Sequence, residues 1–150
     1  FSFSCCEDSS ILFVELMNER FFEWKKKIDF AYCRLLQSKQ AMNDLDVAFV
    51  EGAIATKDDE EKLKKIRHNS KYLVAIGSCA VTGMPSAQRN EFDRKTKAEI
   101  LPIMRKFGHR SKVVPLDKLV HVDDKVPGCP MVESVFLKVL DKYFKLFEVK

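Results

Sequence analysis

No stretch of this sequence approaches the roughly 20 consecutive apolar residues a membrane span requires, so no span is expected within it. The opening residues lack both a charged n-region and a small-residue cleavage site, which argues against a secretory signal peptide. Internal repeats and low-complexity linkers are also missing, and one domain over residues 1–150 is expected. No aromatic–basic alternation supports nucleic-acid binding. The net charge of +4 arises from 26 Lys and Arg interleaved with 22 acidic residues, as in "KDDEEKLKKIRH" and "EFDRKTKAEI", the pattern of solvated helix faces. The chain opens on Phe rather than Met. Because "FSF" reads as the tail of a strand, a few residues are expected ahead of it.

What is present is a chain with 46% hydrophobic residues, long enough to bury a core without disulfides. Its five cysteines are an odd number at irregular spacing. That points to metal, redox or buried thiols in a reducing compartment, hence a cytoplasmic protein, rather than to a secreted disulfide framework.

The patterning alternates strand and helix. "FSFS" (1–4) is extended, and Asp8 or Ser9 is placed to cap a helix through "ILFVELMNERFFEWKK". "IDFAYCRLL" (28–36) reads as a strand from its β-branched and aromatic residues, and "LDVAFVEGAI" (45–54) as a strand buried on both faces. Thr56 and Asp59, three apart, resemble a capping box at the head of the next helix. "KYLVAIGSCA" (71–80) repeats the buried-strand pattern, a Gly/Pro loop follows, and a helix is expected from about 91 to 107. Short extended pieces broken by prolines lead to a last helix, in which Val132, Val135, Phe136, Val139, Leu140, Tyr143, Phe144 and Phe147 form one apolar stripe. This order predicts an α/β fold, a flavodoxin-like parallel sheet with helices on both faces.

In such a sheet, ligands bind outside the carboxyl ends of the strands. Cys5 and Cys6 end the first predicted strand, Glu51 and Gly52 the third, Cys79 the fourth, and Cys129 sits in a Pro-Gly-Cys-Pro loop before the last helix. All can converge on one edge, whereas Cys33 lies inside a predicted strand. Four thiolates without an adjacent histidine suit iron–sulfur or zinc, because soft donors select those metals. Zinc ribbons bring their ligands as two close pairs; here the gaps are one, 73 and 50 residues. That spread fits a cluster seated in a preformed pocket. Plain readings stand beside this one: Cys79 as a small buried hydrophobe, "PGCP" as a rigid turn, and the tandem pair as chance or a vicinal disulfide.

The motifs "CC", "GSCA" and "PGCP" in that order, with "DVAFVEGAI" before the third cysteine, resemble the small-subunit family of nickel–iron hydrogenases and its relative, the cluster-bearing twenty-kilodalton subunit of respiratory NADH:quinone oxidoreductase. The resemblance covers essentially the whole chain. It implies that Cys5, Cys6, Cys79 and Cys129 hold one proximal [4Fe-4S] cluster, with Cys33 outside it. It further implies that no catalytic residue lies in this chain and that the Ni-Fe centre belongs to a hydrogenase large subunit. This subunit would relay electrons to an additional ferredoxin-like or flavin redox subunit. Glu51 matches a family Glu-Gly and, with Gly52 and Glu7, is a candidate for facing the partner; Glu7 and Asp8 also stand beside the ligand pair. Two markers divide the relatives: the adjacent cysteines follow the quinone-reductase pattern, whereas Glu51-Gly52 and the long loop "GSCAVTGMPSAQRN" follow hydrogenases. A quinone-reductase-type subunit and a stand-alone iron–sulfur redox protein are the alternatives. No cysteine-rich region follows Cys129, so a single cluster is expected.

Overall fold

A computed structural model describes residues 1–33 and 41–149. Three parallel strands, β1 (Leu45–Glu51), β3 (Ser70–Ile76) and β5 (Asp124–Val126), form a sheet in the order β1-β3-β5. A smaller antiparallel pair joins β2 (Ile54–Thr56) to β4 (His109–Val114). The helices are α1 (Asp8–Lys27), α2 (Lys57–His68), α3 (Gly77–Thr82), α4 (Arg94–Lys106) and α5 (Glu133–Leu146). Among the described residues, no helix is long and apolar enough to cross a membrane.

Side chains alternate across a strand with a period of two, and β3 uses both faces. Val74 and Ile76 pack with Leu16, Met17 and Trp24 of α1 and with Phe136, Leu140 and Tyr143 of α5. Leu73 and Ala75 pack on the other face with Leu63 and Ile66 of α2 and Ala80 of α3. β1 divides likewise, Val47 and Phe49 to the first cluster and Ala48 and Val50 to the second. The expected α/β sheet with helices on both faces is therefore present.

The capping box expected at α2 is formed: Asp59 N–H donates to Thr56 Oγ1 at 3.0 Å, and Thr56 N–H donates to Asp59 at 3.2 Å. Several expectations need correction. Over the described part of 28–36 there is no strand; Ile28 and Phe30 are drawn onto the α1/α5 cluster and Tyr32 stacks on Phe1, so burial places these apolar residues without a ladder. Residues 34–36 of that expectation lie outside the described residues. "FSFS" makes two isolated bridges to the end of β1, Ser2 with Glu51 and Ser4 with Ala53. The expected strand 45–54 stops at Glu51, turns at Gly52 (φ +92°) and resumes as β2 in the second sheet. The expected strand 71–80 ends at Ile76, so Cys79 lies in the short helix α3.

Candidate metal centre

Because β1, β3 and β5 run parallel, their carboxyl ends share one edge, and the chain segments leaving them meet there. The segment 1–6 reaches that edge alongside Glu51, with Phe3 N–H donating to the Glu51 carbonyl at 2.9 Å. α3 begins at Gly77, directly after β3, and Ser78 N–H donates to the Gly128 carbonyl at 2.7 Å, which ties the α3 turn to the Pro-Gly-Cys-Pro loop after β5. One cleft results. Cys5, Cys6, Cys79 and Cys129 all line it, together with Asp8, Ser9, Glu51, Gly77 and Gly128. Cys79 is buried, Cys5 is half-buried, and Cys6 and Cys129 are exposed at the mouth. Cys33 is half-buried and is not among the lining residues.

The loop geometry explains the glycine in "PGCP". Gly128 has φ +114°, and a Cβ there would stand 2.5 Å from the Pro130 carbonyl oxygen and 2.8 Å from the Val132 nitrogen. Only glycine allows the loop to fold this tightly under Cys129.

Glu51 ends β1 and lines the cleft, but in a setting other than the one expected. Expected to face a partner, it is 3% exposed and turned inward. Its carboxylate accepts from Ser9 N–H at 3.1 Å, Ser10 N–H at 3.0 Å and the Ser10 hydroxyl at 2.6 Å. These amides belong to the first turn of α1, whose N-cap residue, Glu7, makes no side-chain cap. A strand-end carboxylate thus replaces the cap expected from Asp8 or Ser9, where the helix dipole favours negative charge. Gly52 is buried as well. Glu7 stays on the surface and accepts from the Ser2 hydroxyl at 2.8 Å.

Three serines stand on or beside the cleft, and of these the sequence marked only Ser9, as a cap for α1. Ser9 is 2% exposed, and its hydroxyl accepts from Met131 N–H at 3.1 Å, joining the start of α1 to the loop after β5. Ser2 Oγ lies 3.5 Å from Cys5 Sγ, and Ser86 Oγ lies 3.2 Å from Cys79 Sγ. Their roles follow from tertiary placement; the only local hint is the density of serine around the tandem cysteines.

The electrostatics are those of a site short of positive charge. Burial pushes the Cys5 thiol above its ordinary value of 9.0; Glu51 and Cys79 add to the rise, and the Ser2 contact and a backbone bond oppose it. At Cys6 the Asp8 backbone N–H favours the thiolate, but the Asp8 carboxylate, a slight loss of solvation and Cys129 together outweigh it, and this thiol is raised too. Cys5 therefore senses Cys79, and Cys6 senses Cys129. No Lys or Arg lines the cleft. A positively charged centre would reverse the balance, since metal binding requires and stabilises thiolates.

Among the described residues, no three His, Cys, Asp or Glu side chains converge as a single-ion site. The thiols instead stand around the walls of the cleft. Four soft sulfur donors on several walls, with the Glu51 carboxylate engaged by the α1 amides, fit an iron–sulfur group.

The family described as NADH ubiquinone oxidoreductase, 20 Kd subunit, matches residues 5–143. The delta subunit of the NAD-reducing hydrogenase HoxS of Cupriavidus necator is 28% identical, over 91% of this chain and 72% of its own length. Sulfhydrogenase 2 subunit delta of Pyrococcus furiosus is 31% identical over 75% of this chain. This chain spans only 48% of that relative's length. Among solved structures, a chain of the NAD-reducing nickel–iron hydrogenase in its dihydrogen-reduced state superposes with a TM-score of 0.78, covering 96% of this chain and 88% of that one. At 22% identity that likeness shows a shared fold.

Proposed function

The chain belongs to the 20 Kd subunit family of NADH ubiquinone oxidoreductase, with hydrogenase subunits among its relatives, and from this premise we propose that it is the small, electron-transferring subunit of a nickel–iron hydrogenase. In this reading residues 1–150 form one domain holding one [4Fe-4S] cluster on Cys5, Cys6, Cys79 and Cys129. The observation that carries it is that these four cysteines, drawn from three distant segments, line a single cleft at the carboxyl edge of the parallel sheet. When bound, such a cluster takes up and releases single electrons.

The polypeptide supplies the rest. Cys5 and Cys79 provide the buried wall, and Cys6 and Cys129 the exposed rim. Glu51 and Ser9 fix the start of α1, and with it the tandem pair, against β1 and the "PGCP" loop. The exposed rim, with Glu7 beside it, is the face offered to a large subunit that carries the Ni-Fe centre and splits or forms dihydrogen. A further ferredoxin-like or flavin subunit would receive the electrons. The reduced thiols suit the cytoplasm.

The adjacency of Cys5 and Cys6 favours a second reading, a quinone-reductase-type subunit. Copurification separates the two. Under the hydrogenase reading, the isolated chain binds about four irons and shows no dihydrogen activity, while the complex contains nickel and reduces dye with dihydrogen. Cys79→Ser or Cys129→Ser abolishes or badly destabilises iron binding, and Cys33→Ser leaves it intact. A nickel-free complex that reduces quinone overturns the first reading in favour of the second.

A further inference from the structure

Ser86 occupies a position whose chemistry goes beyond packing. Its single hydroxyl proton is donated to the Ser4 carbonyl at 2.8 Å, while its oxygen stands 3.2 Å from Cys79 Sγ. With Cys79 as a thiol, the arrangement reads as a relay in which S–H donates to O–H and O–H donates to the carbonyl. With Cys79 as a thiolate, the sulfur has no proton left to give and becomes an acceptor. The hydroxyl is then free to turn, because the Ser4 carbonyl also accepts from Ala53 N–H at 3.1 Å and keeps a donor without it.

The loop that carries Ser86 is held in place independently of the thiol. Arg89 donates to the carbonyls of Ala55 at 3.2 Å and Arg110 at 2.9 Å. Asn90 exchanges two bonds with the backbone of Val113, at 2.8 and 2.9 Å. The hydroxyl is therefore presented by a fixed segment to a buried sulfur, which is the condition under which one hydrogen bond alters a metal centre's electronics.

We propose that Ser86 is a positioning residue for the redox centre: its hydroxyl turns from the Ser4 carbonyl to the Cys79 sulfur once that sulfur is a ligand, and so raises the reduction potential. This rests on the iron–sulfur reading above. A hydrogen bond to a ligand sulfur withdraws electron density and favours the reduced cluster.

The test is potentiometry of the iron-loaded full chain, with iron content measured in parallel. Ser86→Ala is expected to load and to shift the potential negative, while Ser86→Thr, which keeps the hydroxyl, stays near wild type. Resonance Raman supplies a reading that needs no substitution: the iron–sulfur(Cys) stretches of wild type shift in heavy water. Where the Ala variant loads, that isotope shift is reduced in it. A loaded Ser86→Ala chain at wild-type potential overturns the proposal, as does a Thr variant shifted as far as Ala or a wild-type spectrum insensitive to heavy water. A wild-type chain that binds no iron overturns the cluster reading and this inference with it. A loaded chain with no Ser86 effect overturns the inference alone.

Discussion

Glu51 shows how a residue's identity and its role separate. A glutamate at the end of a buried strand is visible in the sequence as an anomaly, and an anomaly at a strand's carboxyl end suggests a binding surface. Its partners, the amides of Ser9 and Ser10, come from 42 and 41 residues away, and no local pattern announces that contact. The convergence of the four cysteines was more legible, because it follows from strand direction. Ser2 and Ser86 were not legible and Ser9 was legible only as a helix cap, since serine is common and its role here depends on which sulfur or amide lies opposite. Glu51→Gln keeps the size but loses the charge, and hydrogen bonds to charged groups contribute about 1.5–3 kcal/mol. Denaturant unfolding of the full metal-free chain is expected to show a loss of about 1–3 kcal/mol. Unchanged stability would mean that the first turn of α1 finds another acceptor.

At the scale of elements, the parallel strands and long helices were readable from periodicity, and their ends were not. "LDVAFVEGAI" is apolar throughout, so nothing in its hydropathy marks where one sheet gives way to the other. The break is made by Gly52, where a Cβ would lie 2.8 Å from the Phe3 carbonyl carbon and the backbone has φ +92°. "IDFAYCRLL" has the composition of a strand, yet its described part settles on the α1/α5 cluster; composition reports burial and does not by itself choose a ladder. Gly52→Ala adds both backbone strain and a collision with the segment leading to Cys5 and Cys6. Positive-φ strain alone is about 1–3 kcal/mol. The variant is expected to melt earlier and to bind less iron than wild type, measured by calorimetry and iron assay. Normal iron loading would show that this close approach does not fix the tandem pair.

For the whole molecule, the fold was legible because two-sided burial of β1 and β3 requires helices on both faces, and the paired clusters around β3 meet that requirement. The charge balance of the cleft was hidden until the chain was folded. The Cys5 and Cys6 thiols are raised above 9.0 in the folded metal-free chain. Their contribution to stability is complete below the unfolded thiol value and is lost as pH rises through the folded values. The metal-free chain is therefore expected to melt at lower temperature as pH goes from about 8 to about 10, and less steeply so in Cys5→Ser. Under the cluster reading, iron loading would run the other way, because it displaces thiol protons and is favoured by rising pH. Melting temperatures independent of pH across that window would contradict the burial of Cys5.

The two bridges that hold the segment 1–4 to the end of β1 also bear on how the tandem pair is held. Each joins residues 49 apart in the chain, and closing a loop of that length carries an entropy that neighbouring helical turns avoid. Packing of α1 against β3, and of Phe1 and Phe3 against the cluster on the other face, shares that cost. The tandem pair Cys5 and Cys6 is thereby carried on a segment held on one side by the bridges and on the other by the start of α1, which Glu51 and Ser9 anchor. Under the cluster reading, the contacts that join the start of α1 to the end of β1 would also set the spacing between the tandem thiols and Cys79.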